Sequence, residues 1–102
     1  MVDYDPYEGP EEARAEVGEK SRQRRELETN DFRWVMQAAE GRRFTWRLLE
    51  QAGVFKSTFR TDAAESAFLE GQRAVGLRLL AQIGETCPDS YLQMLKEQRD
   101  QK

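Results

Sequence analysis

Two short segments of the chain combine arginine with aromatic residues, FRWVM at 32–36 and RRFTWR at 42–47. Such side chains can bind single-stranded nucleic acid, because aromatic rings stack on bases and guanidinium groups contact phosphates. The same spacing is typical of a helix whose aromatic rings face a core while the arginine stems lie over apolar surface. We favour this helical interpretation, with contact to a partner protein and binding of nucleic acid as alternatives.

The sequence is poor in residues that support catalysis. There is no histidine, so histidine-based triads, histidine metal ligands and the usual near-neutral general base are absent. The single cysteine, Cys87, lacks a histidine to activate it, and its place before Pro88 favours a small buried residue or a helix cap. Capping explains the acidic residues Asp62, Glu65 and Glu70 at the start of a predicted helix. We expect no enzyme activity, no catalytic residue, no cofactor and no metal site.

The segment LLEQAGVFKSTF, residues 48–59, resembles the turn of a DNA-binding helix-turn-helix, in which a glycine precedes a hydrophobic residue and a second helix. Two positions depart from that pattern. Leu49 stands where a small residue is usual, and Asp62 stands where an apolar residue is usual. The net charge of -3 and the pI of about 5.1 also argue against a phosphate-binding surface. Any binding of nucleic acid is expected to be weak.

Apolar and acidic residues divide the chain into two parts. Residues 1–31 hold 8 hydrophobic residues and 10 acidic against 5 basic ones, whereas residues 32–95 hold 31 hydrophobic residues. We predict an acidic arm over residues 1–28, disordered or partly helical, and a helical domain over residues 29–100. In the arm, Tyr4 and Tyr7 stand among acidic residues, a composition suited to docking in a groove of another protein. These tyrosines are the predicted arm contacts.

Hydrophobic periodicity predicts an all-α fold, a small bundle of about four core helices around a long central helix. The expected helices are 32–40 after a cap at Thr29, Asn30 or Asp31, then 42–52 between Gly41 and Gly53, 62–85 after Thr61 or Asp62, and Pro88 to about Gln98. The expected inward-facing residues include Phe44, Leu48, Leu49 and Ala52, then Ala64, Ala67, Phe68, Val75, Leu79 and Ile83, then Tyr91, Leu92 and Leu95. Gly71 and Gly76 suggest a close backbone approach by a neighbouring helix to the central helix.

Cysteine content and hydropathy indicate the compartment. A single cysteine excludes an internal disulfide, and the N-terminal residues have neither the basic region nor the apolar run of a signal peptide. The longest apolar region, AVGLRLLAQIG, is interrupted by Arg78 and Gln82 and is far shorter than a bilayer span. We expect a soluble protein of a reducing compartment, without a membrane anchor.

Three segments together resemble a small helical domain of tailed bacteriophages and prophages that is named after a gene product of a Bordetella phage. They are DFRWVMQAAEGRRFTWRLLEQAGVFKSTF, FLEGQRAVGLRLLAQI and CPDSYLQMLKE. The resemblance rests on the paired Arg42 and Arg43, the W-R-L-L-E-x-A-G-V-F segment, the E-G-x-R of Glu70 to Arg73 and the Y-L-x-M of Tyr91 to Met94. It covers residues 30–97 and leaves the arm outside.

The resemblance implies a place among the structural genes of a phage, and it offers no catalytic motif. We expect a non-enzymatic virion or virion-assembly protein, internal, portal-proximal or ejected with the genome, located in the virion or the host cytoplasm. Its expected partners are other virion proteins, including portal or internal proteins, and further copies of itself. Alternative functions are a nucleic-acid-binding or packaging-associated regulatory module and a small inhibitor of a host protein. The expected partner-binding surface comprises Arg42, Arg43, Trp46, Arg47 and Arg73.

Overall fold

The computed structural model describes residues 11–101, and over that range the chain forms four α-helices and no strand. The helices are α1, Glu11–Gln37; α2, Ala39–Gln51; α3, Ala63–Thr86; and α4, Pro88–Asp100. The prediction of an all-α fold is therefore confirmed. The predicted arm contacts Tyr4 and Tyr7 lie outside the described residues.

The chain divides into two units, one that ends at Phe32 and one that comprises Arg33–Lys102. In the described part of the first unit, no residue from 11 to 31 is buried. Ion pairs at helical spacing link Glu16 with Lys20, and Arg22 with both Glu19 and Glu26. This part of α1 is therefore stabilised by helix-forming residues and exposed charge pairs, and not by a core of its own.

The first helix differs from its predicted bounds at both ends. α1 runs without a break through residues 29–31, so the predicted helix start there is wrong. Asn30 and Asp31 are exposed on the helix and do not cap it, since the chain on both sides is already helical. α1 ends at Gln37, and the single extended residue Ala38, with φ -99° and ψ 144°, separates it from α2. Gly41, which was predicted to end the first helix, lies in the first turn of α2.

The end of α2 is built from local hydrogen bonds. Gly53 has a φ of +75°, which a residue with a side chain rarely adopts. Its N–H donates to the carbonyl of Glu50 at 3.0 Å, and the N–H of Val54 donates to the carbonyl of Leu49 at 3.2 Å. This is the Schellman arrangement, in which Val54 and Leu49 also bury their side chains. Gly53 is confirmed as the stop of this helix.

Helices α3 and α4 begin where the sequence predicted that they would. The Asp62 carboxylate accepts a hydrogen bond of 3.0 Å from the N–H of Glu65, and Pro88 is the first residue of α4. The Ser66 hydroxyl accepts from the N–H of Arg60 at 2.8 Å and holds the preceding loop against α3. Both predicted helix starts are confirmed.

The core of the second unit is small. Its buried apolar residues come from every helix and from the loop after α2: Met36, Leu49, Val54, Ile83 and Met94. Gly76 allows the loop to approach α3, because a Cβ at this position would lie 2.5 Å from Val54 Cγ2 and 2.7 Å from Ala52 Cβ. A close approach was predicted at Gly76, but it is made by side chains of the loop after α2 and not by the backbone of a neighbouring helix. At Gly71, a Cβ would have no neighbour within 4 Å.

Several apolar side chains that were predicted to face inward are exposed. Their exposed fractions range from 41% for Leu48 to 66% for Phe68, and Phe44, Val75 and Leu92 lie between these values. Leu49 and Ile83 are buried as predicted, so the packed sides of α2 and α3 overlap the predicted sides only in part. None of the helices within residues 11–101 has the length and hydropathy needed to cross a bilayer.

Candidate functional site

Arg42, the first residue of the predicted partner-binding surface, lies inside the fold. Its Nε and Nη2 atoms donate to the Glu97 carboxylate at 2.7 and 3.0 Å, and its Nη1 atom donates to the carbonyls of Met36 at 3.0 Å and Gln37 at 2.9 Å. The side chain is only 12% exposed. Arg42 therefore joins the end of α1, the start of α2 and the C-terminal part of α4, and four of its five N–H groups donate within the chain.

We call the hydrogen bonds of Arg42 to Glu97, Met36 and Gln37 the Arg42 clasp. They shift the pKa values of both charged side chains. The hydrogen bond from Arg42 lowers the pKa of the Glu97 carboxyl, an effect that outweighs the opposing effect of burial. The same bond raises the pKa of Arg42. The guanidinium also meets two backbone carbonyls at the C-terminus of α1, where the helix leaves carbonyl groups without partners and carries partial negative charge. The Arg42 guanidinium thus supplies hydrogen-bond donors both to the Glu97 carboxylate and to the last carbonyl groups of α1.

Trp46, Arg43 and Arg47 lie elsewhere on α2. The Trp46 indole is half-buried and stacks on the Phe55 ring, with centroids 4.9 Å apart and an interplanar angle of 26°. Arg43 Nη2 is 3.7 Å from Glu40 Oε1, and the Arg43 side chain is 44% exposed. Arg47, one helical turn further along, is also exposed. Of the three arginines on α2, the structure therefore leaves Arg43 and Arg47 on an outer side.

Arg73 is half-buried on the packed side of α3. Its Nε atom is buried and has no hydrogen-bond acceptor among residues 11–101. Arg73 belongs to α3, whereas the other four residues of the predicted surface belong to α2. The predicted surface is thus not one cluster: Arg42 is internal, Trp46 is packed on Phe55, and only Arg43 and Arg47 form an exposed pair.

The loop between α2 and α3 does not form a helix-turn-helix. It spans residues 52–62, longer than the three or four residues that join the helices of that motif. Within it, Arg60 Nε is 3.4 Å from Glu65 Oε1, and Arg60 Nη1 donates to the carbonyl of Phe59 at 2.7 Å. The Thr58 hydroxyl donates to Glu70. These hydrogen bonds and the ion pair therefore hold the loop along α3.

Two open clefts of the second unit contain titratable side chains. A cleft of about 550 Å³ at the α1–α2 corner is lined by six residues, of which Glu40 alone is titratable. A cleft of about 480 Å³ at the α3–α4 junction contains Cys87, Arg33 and Asp89. Burial raises the pKa of the Cys87 thiol, and the nearby charge of Arg33 lowers it by less. Residues 11–101 hold no group of three metal-ligating side chains.

The raised pKa of Cys87 predicts slow alkylation. At pH 7.5 the folded protein should react with iodoacetamide more slowly than the same chain in denaturant, because only the thiolate is nucleophilic and burial disfavours it. Mass spectrometry of timed samples measures both rates. A Cys87→Ser, Gln82→Cys variant, with its thiol at an exposed helical position, should react as fast folded as unfolded. Equal rates for folded and unfolded Cys87 would contradict a protected thiol.

The prominent surface feature that was missed from sequence is apolar. Outside the core, large apolar side chains remain exposed along the second unit: Trp34, Phe44, Leu48, Phe55, Phe59, Phe68, Val75, Leu77 and Leu92. Several belonged to the stripes that periodicity assigned to the core. Their signal in the sequence was therefore present, but it was interpreted as internal packing.

Comparison with known proteins finds one similarity that covers most of the second unit. A family model described as a Bbp19-like phage protein matches residues 32–96, a span that includes all of α2 and α3 and most of α4. No curated protein and no solved structure matches the chain.

Proposed function

The chain belongs to the Bbp19-like phage protein family, and we propose that it is a non-enzymatic protein of the virion or of virion assembly that acts through contacts with other phage proteins. The observation that carries this proposal is the imbalance between core and surface. Five apolar side chains are buried within residues 11–101, whereas eleven large apolar ones are exposed.

Such a surface favours protein partners. An exposed large apolar side chain contributes about 1.5–3 kcal/mol when it is fully buried, so an interface that covers several of them has a substantial driving force. Contiguous exposed apolar patches mark protein–protein contact sites in soluble proteins. The aromatic residues Phe55, Phe59 and Trp34 are of the kind enriched in interface centres. A protein that joins a large assembly would cover these side chains there.

Two further observations support a non-enzymatic role. The cleft at the α1–α2 corner offers a single titratable group, whereas general acid–base catalysis usually requires a pair with separated pKa values. Burial disfavours ionisation of the thiol of Cys87, the single cysteine. Contact between proteins therefore has better support than chemistry on a substrate.

Nucleic-acid binding, the alternative function, requires Arg42, Arg43, Arg47, Lys56 and Arg60 on one surface, and two of these residues are paired within the chain. Arg42 is bound to Glu97, and Arg60 is paired with Glu65. One face of Trp46 is also covered by Phe55, which leaves less ring for a stacked base. The exposed residues Arg43, Arg47 and Lys56 supply three phosphate contacts, fewer than the number that gives strong binding at physiological salt.

We therefore predict no measurable binding of a 30-nucleotide single strand or duplex at micromolar protein and 150 mM salt. Fluorescence anisotropy at 20, 50 and 150 mM salt measures this. Weak binding at 20 mM salt should be reduced to a similar extent by Arg43→Ala and Arg47→Ala. Micromolar or tighter binding at 150 mM salt, lost in the Arg43→Ala, Arg47→Ala double variant, would favour the nucleic-acid alternative instead.

Quantitative mass spectrometry of purified particles tests the proposed function. Particles of the encoding phage or induced prophage should contain a reproducible copy number of this chain that matches a ring or shell of the virion. A phage protein that is expressed but not packaged, measured in the same particles, gives the background of trapped cytoplasmic protein. A copy number no higher than that background would show that the chain is not a component of the virion. Capture of a specific host protein by the tagged chain would then favour the inhibitor alternative.

A further inference from the structure

The corner between α1 and α2 interrupts a segment that favours a continuous helix. Residues 35–40, VMQAAE, contain neither proline nor glycine, and the sequence predicted helix through residue 40. The break lies at Ala38, whose residue type has the highest helix propensity but whose backbone is extended here. Ala38 is the N-cap of α2 and makes no side-chain capping bond. Neither helix propensity nor a cap at Ala38 therefore accounts for the break.

Contacts of Arg42 and Gly41 account for it instead. In a continuous helix, the carbonyls of Met36 and Gln37 would accept from the backbone N–H groups four residues further along. Here both carbonyls accept from Arg42 Nη1, at 3.0 and 2.9 Å, so the guanidinium takes the place of the backbone donors. Gly41 contacts the Val35 carbonyl so closely that a Cβ would overlap the oxygen. In a continuous helix these two residues would lie about 9 Å apart along the axis, so only the bent chain requires this glycine.

A small part of the core depends on the corner. Met36 is the one residue of α1 that is buried within residues 11–101. The Arg42–Glu97 bond joins α2 to α4, both of which follow the corner. The other buried apolar side chains also follow it: Leu49, Val54, Ile83 and Met94. Straightening the corner would thus remove Met36 from the core and break the two Nη1 bonds, while both carbonyls would gain backbone donors.

We propose that the α1–α2 corner is a conformational switch between this bent form and a joined form, in which α1 and α2 are one continuous helix. The two forms satisfy the same two carbonyls in alternative ways, through the Arg42 guanidinium in the bent form and through backbone N–H groups in the joined form. A partner that binds one form more tightly shifts the equilibrium towards it. The switch goes beyond the proposed function and does not depend on it.

Opposing substitutions at the corner test the switch by NMR on the full chain, since the Cα chemical shift of residue 38 reports whether its backbone is extended or helical. Gly41→Ala should move residue 38 from extended to helical, because the methyl group does not fit the bent form and favours a helix. Adding Ala38→Asn should reverse this change, because asparagine caps α2 in the bent form and is a poorer helix former. Gly84→Ala, at an open helical position, should leave residue 38 extended.

The signals of Ile83 and Met94 distinguish switching from unfolding, because these core residues should keep folded chemical shifts in the joined form. Arg42→Lys is a milder variant: lysine keeps the charge beside Glu97 but lacks the planar fork that also reaches the α1 carbonyls, so residue 38 should change in the same direction by less. It decides the question if Gly41→Ala unfolds as a whole.

The proposal is overturned if residue 38 stays extended in a folded Gly41→Ala chain, or in Arg42→Lys when Gly41→Ala is unfolded. It is also overturned if residue 38 loses its extended shift in Arg42→Lys only together with the folded signals of Ile83 and Met94. Particle composition is measured separately, so failure of this inference and failure of the proposed function are distinguishable.

Discussion

Replacing Gly41 with alanine is expected to lower the free energy of unfolding by about 3 kcal/mol. An ideal Cβ at this position would overlap the carbonyl oxygen of Val35 and lie 2.8 Å from its carbonyl carbon. Both atoms belong to the backbone of α1, so they cannot move aside as the end of a flexible side chain would. The corner between α1 and α2, joined by the single residue Ala38, would have to open to admit the methyl group.

Thermal unfolding followed by circular dichroism measures this effect. For a domain of this size, the expected loss corresponds to a fall in Tm of about 12–24 °C. Gly84→Ala is the matched control, because the same methyl group at Gly84 would meet nothing within 4 Å, and alanine is the better helix former by about 1 kcal/mol. Gly84→Ala should therefore unfold at the wild-type temperature or above it. A Gly41→Ala variant as stable as the wild type would mean that the corner is not packed this way in solution.

The second large effect is expected from the Arg42 clasp. Arg42→Met keeps most of the apolar stem but removes the bidentate bond to Glu97 and the bonds to two α1 carbonyls. We expect a loss of about 3 kcal/mol, since each hydrogen bond to a charged group contributes about 1.5–3 kcal/mol and the Glu97 carboxylate would lose its partner while largely covered. Urea denaturation measures the loss.

The neighbouring arginine is the control for charge and size. Arg43→Met removes the same groups from a side chain that is 44% exposed and 3.7 Å from Glu40, so it should change stability by less than about 0.5 kcal/mol. Similar losses for both variants would contradict the internal role of Arg42. The comparison separates the clasp from a general effect of removing arginine from α2.

The clasp also predicts how stability depends on pH. Arg42 lowers the pKa of Glu97 in the folded chain below its ordinary value of 4.5, so the unfolded chain takes up the proton first as the pH falls. The charge of Glu97 therefore contributes its full stabilisation above about pH 5, and the contribution is lost as the pH falls through the lowered pKa. The wild type should exceed Glu97→Gln in stability at pH 7, and the difference should shrink in acid. A difference that stays constant from pH 7 to pH 3 would contradict an ionised clasp.

Helix ends that depend on a few neighbouring residues were predictable. The positive φ of Gly53, the side-chain cap of Asp62 and the opening of α4 by Pro88 all follow from bonds or constraints within about five residues. The start of the first helix was not predictable in this way. The potential caps at residues 29–31 occur in a segment of good helix formers, and the helix continues through them.

The sequence by itself determined the all-α class, the C-terminal end of α2 and the starts of α3 and α4, because short-range hydrogen bonds and the helical period depend only on nearby residues. Helical spacing also determined which side chains share a side of a helix, as for Phe68 and Val75. Only the tertiary structure decided which side is covered: Arg42 turned inward to Glu97, 55 residues away, while Phe68 and Val75 remained exposed. The physical reason is that burial depends on contacts between distant segments, and a local pattern does not specify which segments meet.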